Sequence, residues 1–215
     1  MLLLMTTIQD SCLFGKKTLH ERIIQTNDAT GLGRRIPAMG LNLIALLWGF
    51  SEATFFFIVP DVLLSFIALK SRQKATRICF WTLSGALAGG TIMFTWGALH
   101  EASADHFLVQ VPAISNHLIQ EVDRQVETIG SMATFAGPLT GKPYKVYAVH
   151  AGSAELNLAI FLLLSIPARL LRFLLAAWIF SVLSGSLLKG MHQRHKYILL
   201  CCFWTAFYCW FFSIM

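Results

Sequence analysis

Read for the spacing of apolar and polar positions, the chain falls into long apolar blocks separated by short charged connectors. The first block, Pro37 to Leu69, is 33 residues long and holds two ionisable residues, Glu52 and Asp61, with Pro60 beside the second. As one helix it would rise roughly 50 Å against a hydrocarbon core of about 30 Å, too long for one span and too short for two. A re-entrant helical hairpin fits that length. Ile78 to Leu99 gives 22 residues without a charge, a transmembrane helix. Its Ser84, Gly85, Gly89 and Gly90 make a face of small residues suited to close helix contact. Between Pro112 and Gly130, Ile114, Leu118, Val122 and Val126 recur at helical spacing. That pattern predicts an amphipathic helix within residues 100–131, lying on the membrane surface or, alternatively, packed on the outer face of a helix bundle. Met132 to Glu155 is apolar but broken by Gly137, Pro138, Gly141, Pro143 and Gly152, which argues against a straight span and for a second re-entrant hairpin. Leu156 to Leu183 is a hydrophobic helix with a kink expected at Pro167, and Tyr197 to Met215 is a final span of 19 residues.

The connectors set the orientation. Residues 70–77 carry Lys70, Arg72, Lys74 and Arg77 and no acid, and residues 189–196 carry Lys189, Arg194 and Lys196. Residues 100–131 carry Glu101, Asp105, Glu121, Asp123 and Glu127 against Arg124. Basic connectors stay on the cytoplasmic side, so 70–77 and 189–196 are expected inside and 100–131 outside. The 37–69 hairpin then enters and leaves from the cytoplasmic face, and the 132–155 hairpin from the outer face. The predicted fold class is an all-α integral membrane protein: two opposed re-entrant helical hairpins plus transmembrane helices, on the inverted-repeat plan of many transporters. Residues 37–215 form one membrane domain, preceded by a cytoplasmic or interfacial segment, residues 1–36.

Composition narrows the function classes. With 56% hydrophobic and 13% charged residues and a mean hydropathy of +0.63, this is not an ordinary soluble domain. The net charge of +6 sits mostly in the connectors and does not call for nucleic acid. Five cysteines form no CxxC pair and no disulfide framework. Met1 to Met5 is too short for a signal-peptide core, so no removed targeting segment is expected. An intramembrane enzyme acting on lipid would want a motif such as GxSxG or HExxH, and neither is present. His192 and His195 lie in a basic connector without an acid, so no metal and no cofactor are expected.

The candidate chemistry lies in the charges that interrupt the apolar blocks: Glu52, Asp61, Lys142, Lys145, Arg169 and Arg172. Each costs at least about 2.5–3.5 kcal/mol at the centre of a membrane helix, so they are expected to face one another or water. Pro60, Pro143 and Gly152 are the expected breakers of the two hairpins. Arg169 and Arg172 are three apart and share a helix face. Two acids and four bases leave a surplus of positive charge suited to a phosphate head group, which guanidinium binds in a forked geometry. The competing reading is a set of salt bridges that only holds the hairpins together, in a non-transporting assembly protein.

Glu52 and Pro60-Asp61 in the first hairpin, the stretch GPLTGKPYKVYAVHAG from Gly137 to Gly152, and Arg169 and Arg172 in the following helix together resemble the DedA family. The likeness is nearer to the YqaA-like branch of that VTT, or SNARE-associated Golgi protein, superfamily, and covers about residues 37 to 183. Many members have Pro-x-Pro-Gly-Glu where this chain has Val59-Pro60-Asp61-Val62. The resemblance implies two opposed re-entrant hairpins, residence in a bacterial inner membrane as monomer or homo-oligomer, and movement of phospholipids or polyprenyl phosphates across the bilayer, passive or proton-coupled. It also implies that Glu52 and Asp61 are the paired acids, Lys145 the basic residue after the hairpin proline, and Arg169 or Arg172 the helix arginine.

Overall fold

The computed structural model describes residues 38–137 and 140–214. The expectations for residues 1–36, including the interfacial lead-in, and for Cys12 lie outside the described residues. Those residues form eight helices and no strand: α1 (Ala38–Thr54), α2 (Asp61–Ala68), α3 (Arg72–Gln110), α4 (Asn116–Ile129), α5 (Met132–Ala136), α6 (Tyr144–Ser153), α7 (Leu158–Gly185) and α8 (Gln193–Ile214). Three of them, α3, α7 and α8, are long and apolar enough to cross a membrane.

Helix starts follow local chemistry. Ser71 Oγ accepts from the Lys74 N–H, Ser115 Oγ from the Leu118 N–H at 3.2 Å, and Asn157 Oδ1 from Ala159 and Ile160. The two serines each satisfy one orphan donor of a first helical turn, and Asn157 satisfies two. Pro60 and Pro143 stand immediately before α2 and α6, where a residue without an N–H costs nothing. Gly130, at φ +58°, ends α4, and Gly141, at φ +82°, turns the chain between α5 and α6, both in backbone that favours glycine.

α3 is the spine. Along its first half Gly85 lies so close to α1 that a Cβ would overlap the Leu46 carbonyl oxygen, and Gly49 returns the approach against Thr82. Along its second half Gly97 meets the backbone of Val149 and Gly152 meets that of Phe94, which clamps α6 to the same helix. Two apolar cores follow. One joins Ala45, Leu64, Ile78 and Leu83 to Phe173 and Ala177 of α7; the other joins Met93, Phe94 and Leu108 to Val122, Val126, Tyr147 and Phe161.

Several expectations change here. The charge-free run ending at Leu99 continues as helix to Gln110, but His100 leaves helical geometry (φ −148°, ψ 62°), so the axis breaks where the apolar run stops. α4 begins at Asn116, capped by Ser115, rather than at Pro112, and its Ile119, Val122 and Val126 are buried in the second core. Its apolar face is therefore turned into the protein, the packed alternative rather than the surface one. Gly152 is not a breaker: it lies inside α6, and its missing side chain admits α3. α7 runs as helix through Pro167 without interruption. The two interrupted segments are unequal, since α1 and α2 have 17 and 8 residues whereas α5 and α6 have 5 and 10.

Candidate functional site

Both interruptions of helix deliver their charges to one place. Glu52 is in the last turn of α1 and Asp61 is the first residue of α2, so Phe55–Pro60 separates two acids on two helices. Arg169 and Arg172, one turn apart on α7, meet them. A guanidinium N–H of Arg169 donates to Glu52, and Arg172 donates to Asp61 Oδ2 through Nε at 3.1 Å, with its Nη2 paired to the same oxygen at 3.0 Å. Charge-assisted bonds of this kind are strong, and both Arg172 contacts fall on one oxygen of Asp61, so its other oxygen is not used by the pair. The two pairs differ in setting: Arg169 is buried, while 30% of the Arg172 side chain is exposed.

Around Arg169 the second interrupted segment completes the cage. Its guanidinium carbon lies 4.3 Å from the centre of the Tyr144 ring and 5.3 Å from that of Phe173, cation–π contacts that gain strength when desolvated. The Tyr144 hydroxyl donates to Ser165 Oγ at 3.1 Å, and Ser165 in turn donates to the Phe161 carbonyl. Lys145, 2% exposed, donates from Nζ to the Phe56 carbonyl at 2.8 Å, so a base following the second break is bonded to the backbone of the first. Asp61 Oδ1 and Arg169 Nε are buried with no partner within the protein, which leaves each able to bond a further group.

A cavity of about 690 Å³ opens beside this cluster, within the range of small-ligand sites. Its charged lining is Glu52, Asp61, Lys142, Lys145 and Arg172. Trp204 and Tyr208 of α8 form an aromatic wall, anchored where the Trp204 indole N–H donates to Ser65 Oγ and the Tyr208 hydroxyl accepts from the Val59 N–H. The segment Val111–Ile114 with Leu118 covers another side. Lys142 lines the cavity yet is already engaged, its Nζ donating to Glu121 Oε1 at 2.7 Å. That bond holds the Glu121 carboxyl below its ordinary value of 4.5.

Of the sequence-predicted residues, Glu52, Asp61, Lys145, Arg169 and Arg172 come together, Lys142 stands at the cavity rim, Pro60 and Pro143 flank the breaks, and Gly152 is elsewhere. Tyr144, Ser165 and the α8 aromatics escaped the sequence reading. Ser165 had a findable signal, because it precedes Arg169 by one turn on the same helix face; the α8 wall had none, since aromatics near membrane helix ends are common.

No family model matches this chain, and no solved structure does. It is similar to a curated protein of Haemophilus influenzae, named only as an uncharacterized protein, with 29% identity over 137 residues, or 62% of this chain and 70% of the relative. What fold and site define, among the described residues, is an all-helical protein with three helices able to cross a membrane and an acid–base cluster, mostly buried, where two interrupted helices meet.

Proposed function

We propose that the protein is a DedA-like transporter of the bacterial inner membrane that moves a phospholipid or polyprenyl phosphate between leaflets. In this reading α1–α2 and α5–α6 are re-entrant hairpins reaching the same depth from opposite faces, and each is followed by a spanning helix, α3 or α7. The observation that carries it is the cavity whose lining combines Arg172, Lys145 and the two acids with the apolar wall of α8. Glu52 and Asp61 against Arg169, Arg172 and Lys145 leave one positive charge, because Lys145 faces a carbonyl rather than a carboxylate. One surplus cation suits one anionic head group, and the aromatic wall suits an alkyl or prenyl tail. The DedA likeness rests on the motif residues and gives the lipid its class.

The pairing of each arginine with an acid also favours a second reading, in which the charges hold a non-transporting assembly protein together. The two separate on Arg172. Lysine keeps the charge but loses the fork, and losing one charge-assisted hydrogen bond of about 1.5 kcal/mol slows transport roughly tenfold. Purified protein in liposomes is expected to speed the movement of a labelled phosphate lipid between leaflets, with Arg172→Lys about tenfold slower per folded molecule and Arg172→Ala slower still. Unchanged lipid movement per folded molecule in both Arg169→Ala and Arg172→Ala removes the transport reading.

A further inference from the structure

On α6, one turn beyond the residues that serve the cavity, His150 is 2% exposed and lies between two carboxylates from two other helices. Its Nδ1 is 3.2 Å from Asp123 Oδ1 on α4, and its Nε2 is 3.6 Å from Asp105 Oδ1 on α3. Neither ring nitrogen is hydrogen-bonded in this arrangement, to these carboxylates or to any other group of the protein, and Asp105 Oδ1 has no hydrogen-bond partner either. The two nitrogens point from opposite edges of the ring, so no single ion can reach both acids through the imidazole. Among the described residues no His, Cys, Asp and Glu grouping is arranged to hold a metal. What can satisfy both edges at once is a proton on each: imidazolium is a double donor, whereas neutral imidazole turns a lone pair toward one of the two carboxylates.

From this geometry we infer that Asp105, His150 and Asp123 form a proton-operated latch that holds α4 down over the cavity. α4 meets the second interrupted segment at three points: Glu121 bonds Lys142 at 2.7 Å, Asp123 stands 3.2 Å from His150, and Gln125 accepts from the Tyr147 hydroxyl at 2.7 Å. The chain leading into α4, Val111–Ile114, and Leu118 in its first turn line the cavity, so releasing α4 uncovers the cavity on that side. Of the three ties, the His150 one contains the group that ordinarily changes charge between about pH 5 and pH 8.

The charged groups around His150 are few. Asp105 with nearby Glu101 faces it from α3, and Asp123 faces it from α4. α5 has no ionisable residue, and the ionisable residues of α7 are Arg169 and Arg172, both engaged with Glu52 and Asp61. On α6 itself Lys145 is bonded to the Phe56 carbonyl. The sign follows. While the imidazole is protonated, one cation bridges two anions and α4 is held. As pH rises and that proton leaves, Asp105 and Asp123 face each other across a neutral ring, and α4 loosens. The latch is independent of what the cavity carries.

The test is hydrogen–deuterium exchange of the full chain in detergent, between about pH 5.5 and pH 8.5, corrected for the intrinsic pH dependence of exchange. Protection of the α4 amides, residues 116–129, relative to those of α7 is expected to fall with rising pH. Loss of one bound proton makes that fall up to about tenfold per pH unit, with a plateau on either side. His150→Gln, which cannot be protonated, is expected to show low and pH-independent protection of α4. Asp123→Asn alters a residue whose side chain is 44% exposed and is expected to flatten the step with the fold intact. Wild-type protection that does not change with pH, or a step of full size in His150→Gln, overturns the latch. If His150→Gln does not fold, a full step in Asp123→Asn does so alone. The readout needs no lipid movement, so this inference and the transport reading fail separately.

Discussion

The Glu52–Arg169 and Asp61–Arg172 pairs are alike in sequence spacing and unlike in environment, and that difference predicts unequal roles. Arg169 is enclosed by Glu52, Tyr144 and Phe173, so Glu52→Gln strands a buried cation, a change that typically costs about 3–5 kcal/mol. Arg172 retains access to the cavity, so Asp61→Asn is expected to cost about 1 kcal/mol. Thermal unfolding in detergent is expected to show the larger loss for Glu52→Gln. The double variant Glu52→Leu with Arg169→Met is expected to recover much of that loss, because an apolar pair leaves no unpaired charge. A larger loss for Asp61→Asn would reverse the assignment of Arg169 as the structural arginine and Arg172 as the ligand-facing one. The sequence made the membership of this cluster legible, since unpaired charges in apolar blocks are too costly to leave apart. It did not show which acid meets which arginine, nor that Lys142 at the cavity rim is already bonded to Glu121, because pairing depends on how two interrupted helices cross.

The contacts between helices rest on glycines whose value is in what they omit. Gly85 faces the Leu46 carbonyl, a backbone group that cannot swing aside. Replacing an ordinary helical glycine by alanine stabilises by up to about 1 kcal/mol, but at Gly85 the added methyl forces α1 and α3 apart. Gly85→Ala is therefore expected to lower the yield of folded protein and its unfolding temperature. Gly185→Ala, at the end of α7 where a Cβ meets nothing, is expected to be neutral or mildly stabilising. Equal behaviour of the two in a detergent melt would remove close packing as the reason for the glycines on α3. The small-residue face of α3 could be read from the sequence because it recurs at helical spacing; Gly152 was misread because a glycine that admits a neighbour and one that breaks a helix look the same in one dimension. Helix lengths were the other loss. The apolar run stops at Leu99, and although residues 100–110 hold no Gly or Pro to end a helix, hydropathy alone does not carry α3 beyond His100; the short α5 is hidden inside an apolar stretch long enough for a limb equal to α6.

The arrangement of the chain across a bilayer joins these pieces. α3 rises about 58 Å over its 39 residues, well beyond a hydrocarbon core of about 30 Å. Its bend at His100 separates an apolar stretch that fits the bilayer from the acid-rich stretch that continues toward α4. α8, with 22 residues, rises about 33 Å and spans with little tilt. The basic residues at the starts of α3 and α8, Arg72, Lys74, Arg77, Arg194 and Lys196, are expected inside; α7 would then run inward, with α4 and the start of α5 outside. The bond from Lys145 to the Phe56 carbonyl brings the two interruptions together, and the expected orientations would have the first approached from the cytoplasm and the second from the opposite face. The prediction is tested in a background lacking Cys12, Cys79, Cys201, Cys202 and Cys209, with single cysteines at the exposed positions Gln73, Gln120 and Ser186. A membrane-impermeant thiol reagent added to intact cells is expected to label Gln120→Cys and to reach Gln73→Cys and Ser186→Cys only after the membrane is opened. Labelling of Gln120→Cys from the cytoplasmic side alone would put both interruptions on one face, and the cavity between them would then have a single aqueous approach, which is incompatible with passing a head group from one leaflet to the other.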